Sequence, residues 1–296
     1  MPSREMSEMI ELMAASGPVV AGATIEQQRA AMASMLENMP LPETATLNEI
    51  RIGDMAADWI AMPGSANGRV VLYLHGGAYV LGSNRTHREL ASRIAQEAAA
   101  RVLVVDYRLA PEHPFPAAVE DALTAYRWLR RQGVAAASIA IAGDSAGGGL
   151  TLATLLALRD AGEALPACAV CLSPWTDLEG TGASAQPGGA DDPMIAVSGL
   201  RDSGRMYAAD QLRNPLAAPL HGNFKGLPPL LIQVGTREVL LDDSTRVADK
   251  ARAAGVPVRL EIEEGAYHVW QAVPHLPESQ DALRRIGVFV RERIPA

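Results

Sequence analysis

A chain of 296 residues, 48% hydrophobic and 20% charged, carries enough apolar material for a sizeable core and is unlike a disordered segment. Its formal charge of −8, with no Lys/Arg block, would repel a phosphate backbone, which excludes nucleic acid as an expected partner. No run approaches the ~18 apolar residues of a membrane helix, and the start, Met1 to Met6 followed by Glu8 and Glu11, lacks the basic opening and apolar stretch of a signal peptide, so a cytoplasmic protein is expected.

Residues 1 to about 40 read as two helices with Met, Ile, Leu and Val on one face. Thr46–Ile52 and Ala57–Met62, separated by Gly53-Asp54-Met55, read as a hairpin, which predicts antiparallel strands at one sheet edge. From residue 69 onward short β-branched runs alternate with longer helical patterns, the signature of βα units in a mostly parallel sheet. The predicted strands are Val70–His75, Val102–Tyr107, Ser138–Gly143, Cys168–Ser173, Leu230–Gly235 and Val258–Glu263. The predicted helices are Arg85–Ala99, Ala117–Arg131, Ala146–Asp160, Asp243–Ala254 and Glu278–Arg293. Residues 179 to about 215, rich in Gly, Ala and Asp, break this rhythm. A single catalytic domain over 1–296 is expected, with 1–45 and 179–215 forming a cap over the strand ends, where open α/β sheets bind ligands; plain surface decoration is the alternative.

Three places in this pattern carry chemistry. Gly143-Asp144-Ser145-Ala146-Gly147 lies between an apolar strand and an Ala/Leu-rich helix, the setting of a nucleophile elbow: the serine turn is strained, and glycine is needed two positions before and after it. The helix opening at Ala146 directs free N–H groups and its dipole at Ser145. Upstream, His75-Gly76-Gly77-Ala78 ends a strand in a glycine loop able to turn N–H groups toward a substrate oxyanion. Gly76, Gly77 and Ala146 are the expected donors, and His75 is read as fixing the loop. Tyr79, Asp144 and Trp175 are candidates for the substrate pocket.

The base should follow the serine in the chain. His221 comes before the fifth parallel strand, which is too early, whereas His268 follows the last strand directly and is preferred over His275. The acid should lie just after Leu230–Gly235, among Glu238, Asp242 and Asp243. The last two suit a helix cap and first turn, so Glu238 is preferred and Asp242 is the alternative. Cys168 and Cys171 have a C-x-x-C spacing but sit in an apolar run, where core packing is the expected role.

Together, His75-Gly76-Gly77-Ala78, the run Asp106-Tyr107-Arg108-Leu109-Ala110-Pro111-Glu112-His113-Pro114-Phe115-Pro116-Ala117-Ala118 and Gly143-Asp144-Ser145-Ala146-Gly147-Gly148 resemble the hormone-sensitive lipase-like family of α/β-hydrolases, in its bacterial esterase branch, over about residues 45 to 296. The resemblance implies an α/β-hydrolase fold with an eight-stranded sheet and a helical cap, and hydrolysis of short acyl esters by a serine triad without a cofactor or metal. It also implies a small-molecule partner and a possible homodimer. Where many members read Asp-Pro-Leu, this chain reads Glu238-Val239-Leu240, so its acid would be a glutamate. Amidase, lactonase or long-chain lipase activity, or a non-catalytic receptor on the same fold, are the alternatives.

Overall fold

The computed structural model describes residues 2–16 and 23–295. Eight strands form one sheet in the order β1-β2-β4-β3-β5-β6-β7-β8: β1 (Thr46–Ile52), β2 (Met55–Ala61), β3 (Ala66–Leu74), β4 (Ala100–Val105), β5 (Ile139–Asp144), β6 (Cys168–Leu172), β7 (Leu230–Gly235) and β8 (Val258–Glu263). The hairpin β1–β2 closes through Gly53 at φ +62°, and β2 runs antiparallel to β4; every later pairing is parallel. Parallel strands are covered on both faces, so β5 and β6 are buried at every position while β1, at the rim, is largely exposed.

Helices supply the covers. On one face α3 (Arg88–Ala98) and α8 (Pro277–Arg293) place Leu90, Ile94, Leu283, Ile286 and Phe289 against Val71, Tyr73, Val102 and Val104. On the other, α4 (Ala117–Arg131), α5 (Ala146–Asp160) and α7 (Leu241–Ala253) pack Leu129, Leu152, Leu155 and Val247 against Leu72, Leu74, Leu103 and Ile141. Cys168 belongs to the first core and Cys171 to the second. The C-x-x-C spacing therefore puts the thiols on opposite faces of β6, because side chains alternate along a strand; burial pushes the Cys168 thiol up to about 12.

Three further helices are held by side-chain contacts. Met6 of α1 (Arg4–Ser16) is fully buried among Ala266, Tyr267, Trp270 and Leu276, and Ser3 bonds Glu278. From α2 (Ile25–Leu36), Arg29 donates to the carbonyls of Val80 and Ala110 at 2.8 and 2.9 Å and pairs with Glu112 at 2.7 Å. Tyr207 of α6 (Val197–Ala208) stacks on Tyr79 with ring centroids 3.7 Å apart. Residues 1 and 17–22 of the expected cap lie outside the described residues. Among the described residues no helix is long and apolar enough to cross a membrane.

Candidate active site

Between β5 and α5 the chain reverses at Ser145, whose φ of 53° and ψ of −120° are unusual for a residue with a side chain. Its flanking glycines are sterically required. A Cβ on Gly147 would lie 1.9 Å from the Leu74 carbonyl, and one on Gly143 would lie 2.4 Å from the Gly147 carbonyl. The turn is held from β6: Ser145 N–H donates to Leu172 O at 2.8 Å, and Trp175 N–H donates to Ser145 O at 2.9 Å. The Ser145 hydroxyl has no hydrogen-bond partner among the described residues, and nothing bonds it directly to His268.

His268 and Glu238, by contrast, are joined. His268 Nδ1 lies 2.8 Å from Glu238 Oε2, with both side chains buried. The other carboxylate oxygen, Oε1, accepts Gly235 N–H at 2.6 Å and the Ser173 hydroxyl at 2.7 Å. Burial works against a charged His268, but the hydrogen bond and charge of Glu238, with Asp192 and Asp144 further off, outweigh it and leave the imidazole pKa above its ordinary value. With its proton on Nδ1, facing Glu238, the ring offers the Nε2 lone pair as a base. Asp242 instead accepts Ser184 N–H at 3.0 Å, and Asp243 accepts the N–H groups of Thr176 and Asp177, both at 2.7 Å. His275 is exposed beyond the loop.

The glycine loop corrects one expected donor. Gly76 N–H does not face a substrate: it donates to Asp144 Oδ1 at 3.1 Å. Gly77, Ala78 and Tyr79 follow at φ +117°, +53° and +63°, and the N–H groups of Gly77, Ala78 and Ala146 have no acceptor among the described residues. The left-handed turn at Ala78 was not legible, since alanine carries no local signal for that conformation. Asp144 is likewise not a pocket residue. It is buried beneath the loop, accepting from Tyr73 OH at 2.7 Å beside His87 Nε2 at 3.5 Å. Burial disfavours its charge, but His87 and the Tyr73 hydroxyl hold the carboxyl below its ordinary value.

His75 Nδ1–H donates to Gly76 O at 2.8 Å, and the ring stacks on Tyr107 at 4.1 Å. Burial pulls its pKa to about 3, which leaves a neutral ring suited to bracing the loop. Tyr79 and Trp175 are each 1% exposed and, with Tyr207, form a packed aromatic wall beside the loop. Tyr207, Ser173 and the Tyr73–His87 pair were not singled out from the sequence. Asp177, Glu179 and His221 form a group with metal-ligand chemistry, but its carboxylates are already paired with Arg246 and Arg213. A cleft of about 490 Å³ lies apart from Ser145; in its lining Arg88 is already paired with Asp58 and Glu49.

Comparison with known proteins identifies the family of the fold. Residues 71–272 match the profile of a family described by the alpha/beta hydrolase fold. An acetyl-hydrolase of Streptomyces hygroscopicus is 48% identical over 244 residues, covering 82% of this chain and 81% of that protein. A crystal structure of an esterase from the bacterial hormone-sensitive lipase family is 44% identical with a TM-score of 0.94, covering 99% of both chains. An esterase whose crystals were soaked with p-nitrophenyl butyrate is 41% identical with a TM-score of 0.95, covering 99% of this chain and all of the other.

Proposed function

Because the chain belongs to the α/β-hydrolase family, in the hormone-sensitive lipase-like branch of bacterial esterases, and is a carboxylic ester hydrolase, we propose that Ser145, His268 and Glu238 are its triad and short acyl esters its substrates. The observation that carries this reading is the buried Glu238–His268 bond on the loop after β8, in a fold whose strained serine turn lies after β5. In the mechanism, His268 Nε2 takes the Ser145 proton as the hydroxyl oxygen attacks the ester carbonyl, and Glu238 stabilises the resulting imidazolium. The tetrahedral oxyanion is met by the N–H groups of Gly77, Ala78 and Ala146. Collapse expels the alcohol, which takes the proton from His268. Water deprotonated by the same nitrogen then attacks the acyl-serine, and the Ser145 oxygen leaves with that proton returned from His268, releasing the acid.

In this reading α1, α2 and residues 179–215 act as the cap. The names of the acetyl-hydrolase relative and of the neighbour soaked with p-nitrophenyl butyrate support a small acyl group, while Tyr79, Trp175 and Tyr207, sealed from solvent, back the loop and do not line an open pocket. Ser145→Ala should abolish p-nitrophenyl butyrate hydrolysis with an unchanged thermal melt; near-normal turnover would refute the assignment. A p-nitrophenyl ester series run beside an anilide should show turnover falling with chain length and little amide cleavage.

A further inference from the structure

We infer that Ser173 is a positioning residue of the triad, its hydroxyl fixing the Glu238 carboxylate and the His268 loop together. The inference rests on the triad reading above. Ser173 directly follows β6, is fully buried, and has its N–H on Gln233 O of β7 at 2.7 Å. A serine hydroxyl donates one hydrogen bond and accepts up to two. Here the donation goes to Glu238 Oε1 at 2.7 Å, and the oxygen accepts Val269 N–H, adjoining His268, at 3.3 Å. One small group thus ties the acid to the backbone next to the base.

The backbone at this position argues for a hydroxyl with a purpose. Ser173 has φ +46°, a left-handed conformation in which glycine would be relaxed. A residue needed only to turn the chain would gain by being glycine; the side chain retained here spends both of its bonds on the site. The neighbouring residues point the same way. Leu172 O accepts Ser145 N–H, and Trp175 N–H donates to Ser145 O, so the segment 172–175 contacts the nucleophile directly and reaches the base and acid through Ser173. Glutamate also has one more rotatable bond than aspartate. The Gly235 and Ser173 donors remove that freedom, which is how the longer acid can hold His268 without wandering.

Ser173→Gly tests this, because it deletes the hydroxyl while relieving the backbone, and Ser173→Ala repeats the deletion without that relief. With p-nitrophenyl butyrate, kcat should fall about 10- to 100-fold, the loss typical of a hydrogen bond to a charged group, with KM nearly unchanged. Ser173→Gly should melt close to the wild type. The charged groups acting on His268 are Glu238, Asp192 and Asp144; a Glu238 carboxylate with one donor fewer presents more negative charge to the ring. The acid limb of kcat/KM should therefore move to higher pH. Wild-type kcat and an unmoved limb in Ser173→Gly, with Glu238→Ala inactive, would overturn the role of Ser173 alone. Full activity in both Ser145→Ala and Glu238→Ala would overturn the triad reading and this inference with it.

Discussion

Glutamine in place of Glu238 keeps the size of the side chain and removes its charge. Its amide oxygen must sit at the Oε1 position, because Gly235 N–H, 2.6 Å away, can only donate there. The amide NH₂ then faces His268 Nδ1, which has to accept, so the imidazole proton moves to Nε2, the atom that should receive the Ser145 proton. The imidazolium also loses its counter-charge. Unit charges 2.8 Å apart interact by about 6 kcal/mol at an effective dielectric near 20. That interaction is realised as the proton transfers, so it should appear in kcat and not in KM, as a fall of about four decades. Steady-state kinetics of p-nitrophenyl butyrate across pH would measure it. Since Glu238 holds the His268 pKa up against burial, the acid limb of kcat/KM should shift to lower pH in Glu238→Gln, opposite to Ser173→Gly. A kcat within about tenfold of the wild type, or an unmoved limb, would refute the assignment of this carboxylate.

Asp144→Ala would strand Gly76 N–H, Tyr73 OH and His87 in the interior. Turnover should fall about 10- to 100-fold as the oxyanion loop loses its anchor, and urea melts should show about 3 kcal/mol less stability from the buried groups left unpaired. Unchanged kinetics would mean that the loop is held elsewhere. Asp243 offers a test by pH. Burial, helped by Asp177 and opposed by the N–H groups of Thr176 and Asp177, raises its carboxyl to about 7, well above the ordinary value near 3.9. The folded chain therefore keeps this proton between about pH 4 and 7 while the unfolded chain releases it, so the group's contribution to stability declines as pH rises through that window. Asp243→Asn keeps an acceptor for both N–H groups and removes the penalty. Its melting temperature relative to the wild type should be higher at pH 8 than at pH 5; an equal difference at both would contradict the shift.

What the amino-acid order determined by itself was mostly local. The hairpin pattern around Gly53 located the first two strands and the alternation of β-branched and helical runs the other six, with β1, β7 and β8 at their observed bounds. The glycines around Ser145 marked the elbow because their need arises within five residues. His268 and Glu238 could be placed because chain order along a parallel sheet brings successive strand ends to one edge. Boundaries that depend on packing were less legible. Residues 85–87 form a separate 3₁₀ turn before α3, and α7 begins at Leu241, taking Asp242 and Asp243 into its first turn.

Only the tertiary structure decided which polar groups meet across the chain. Asp144 reads as a candidate for the substrate pocket, yet its carboxylate turns under the glycine loop and takes up the N–H of Gly76, 68 positions away, an expected oxyanion donor. Ser173 had no local feature to mark it, and its partner Glu238 is 65 positions distant. Such pairings are set by strand register and by the two helical layers, and no short-range pattern encodes them. Sequence could therefore single out Ser145, His268 and Glu238 as candidates, while the donors around the Glu238 and Asp144 carboxylates emerged only when β3, β5, β6 and β7 lay side by side.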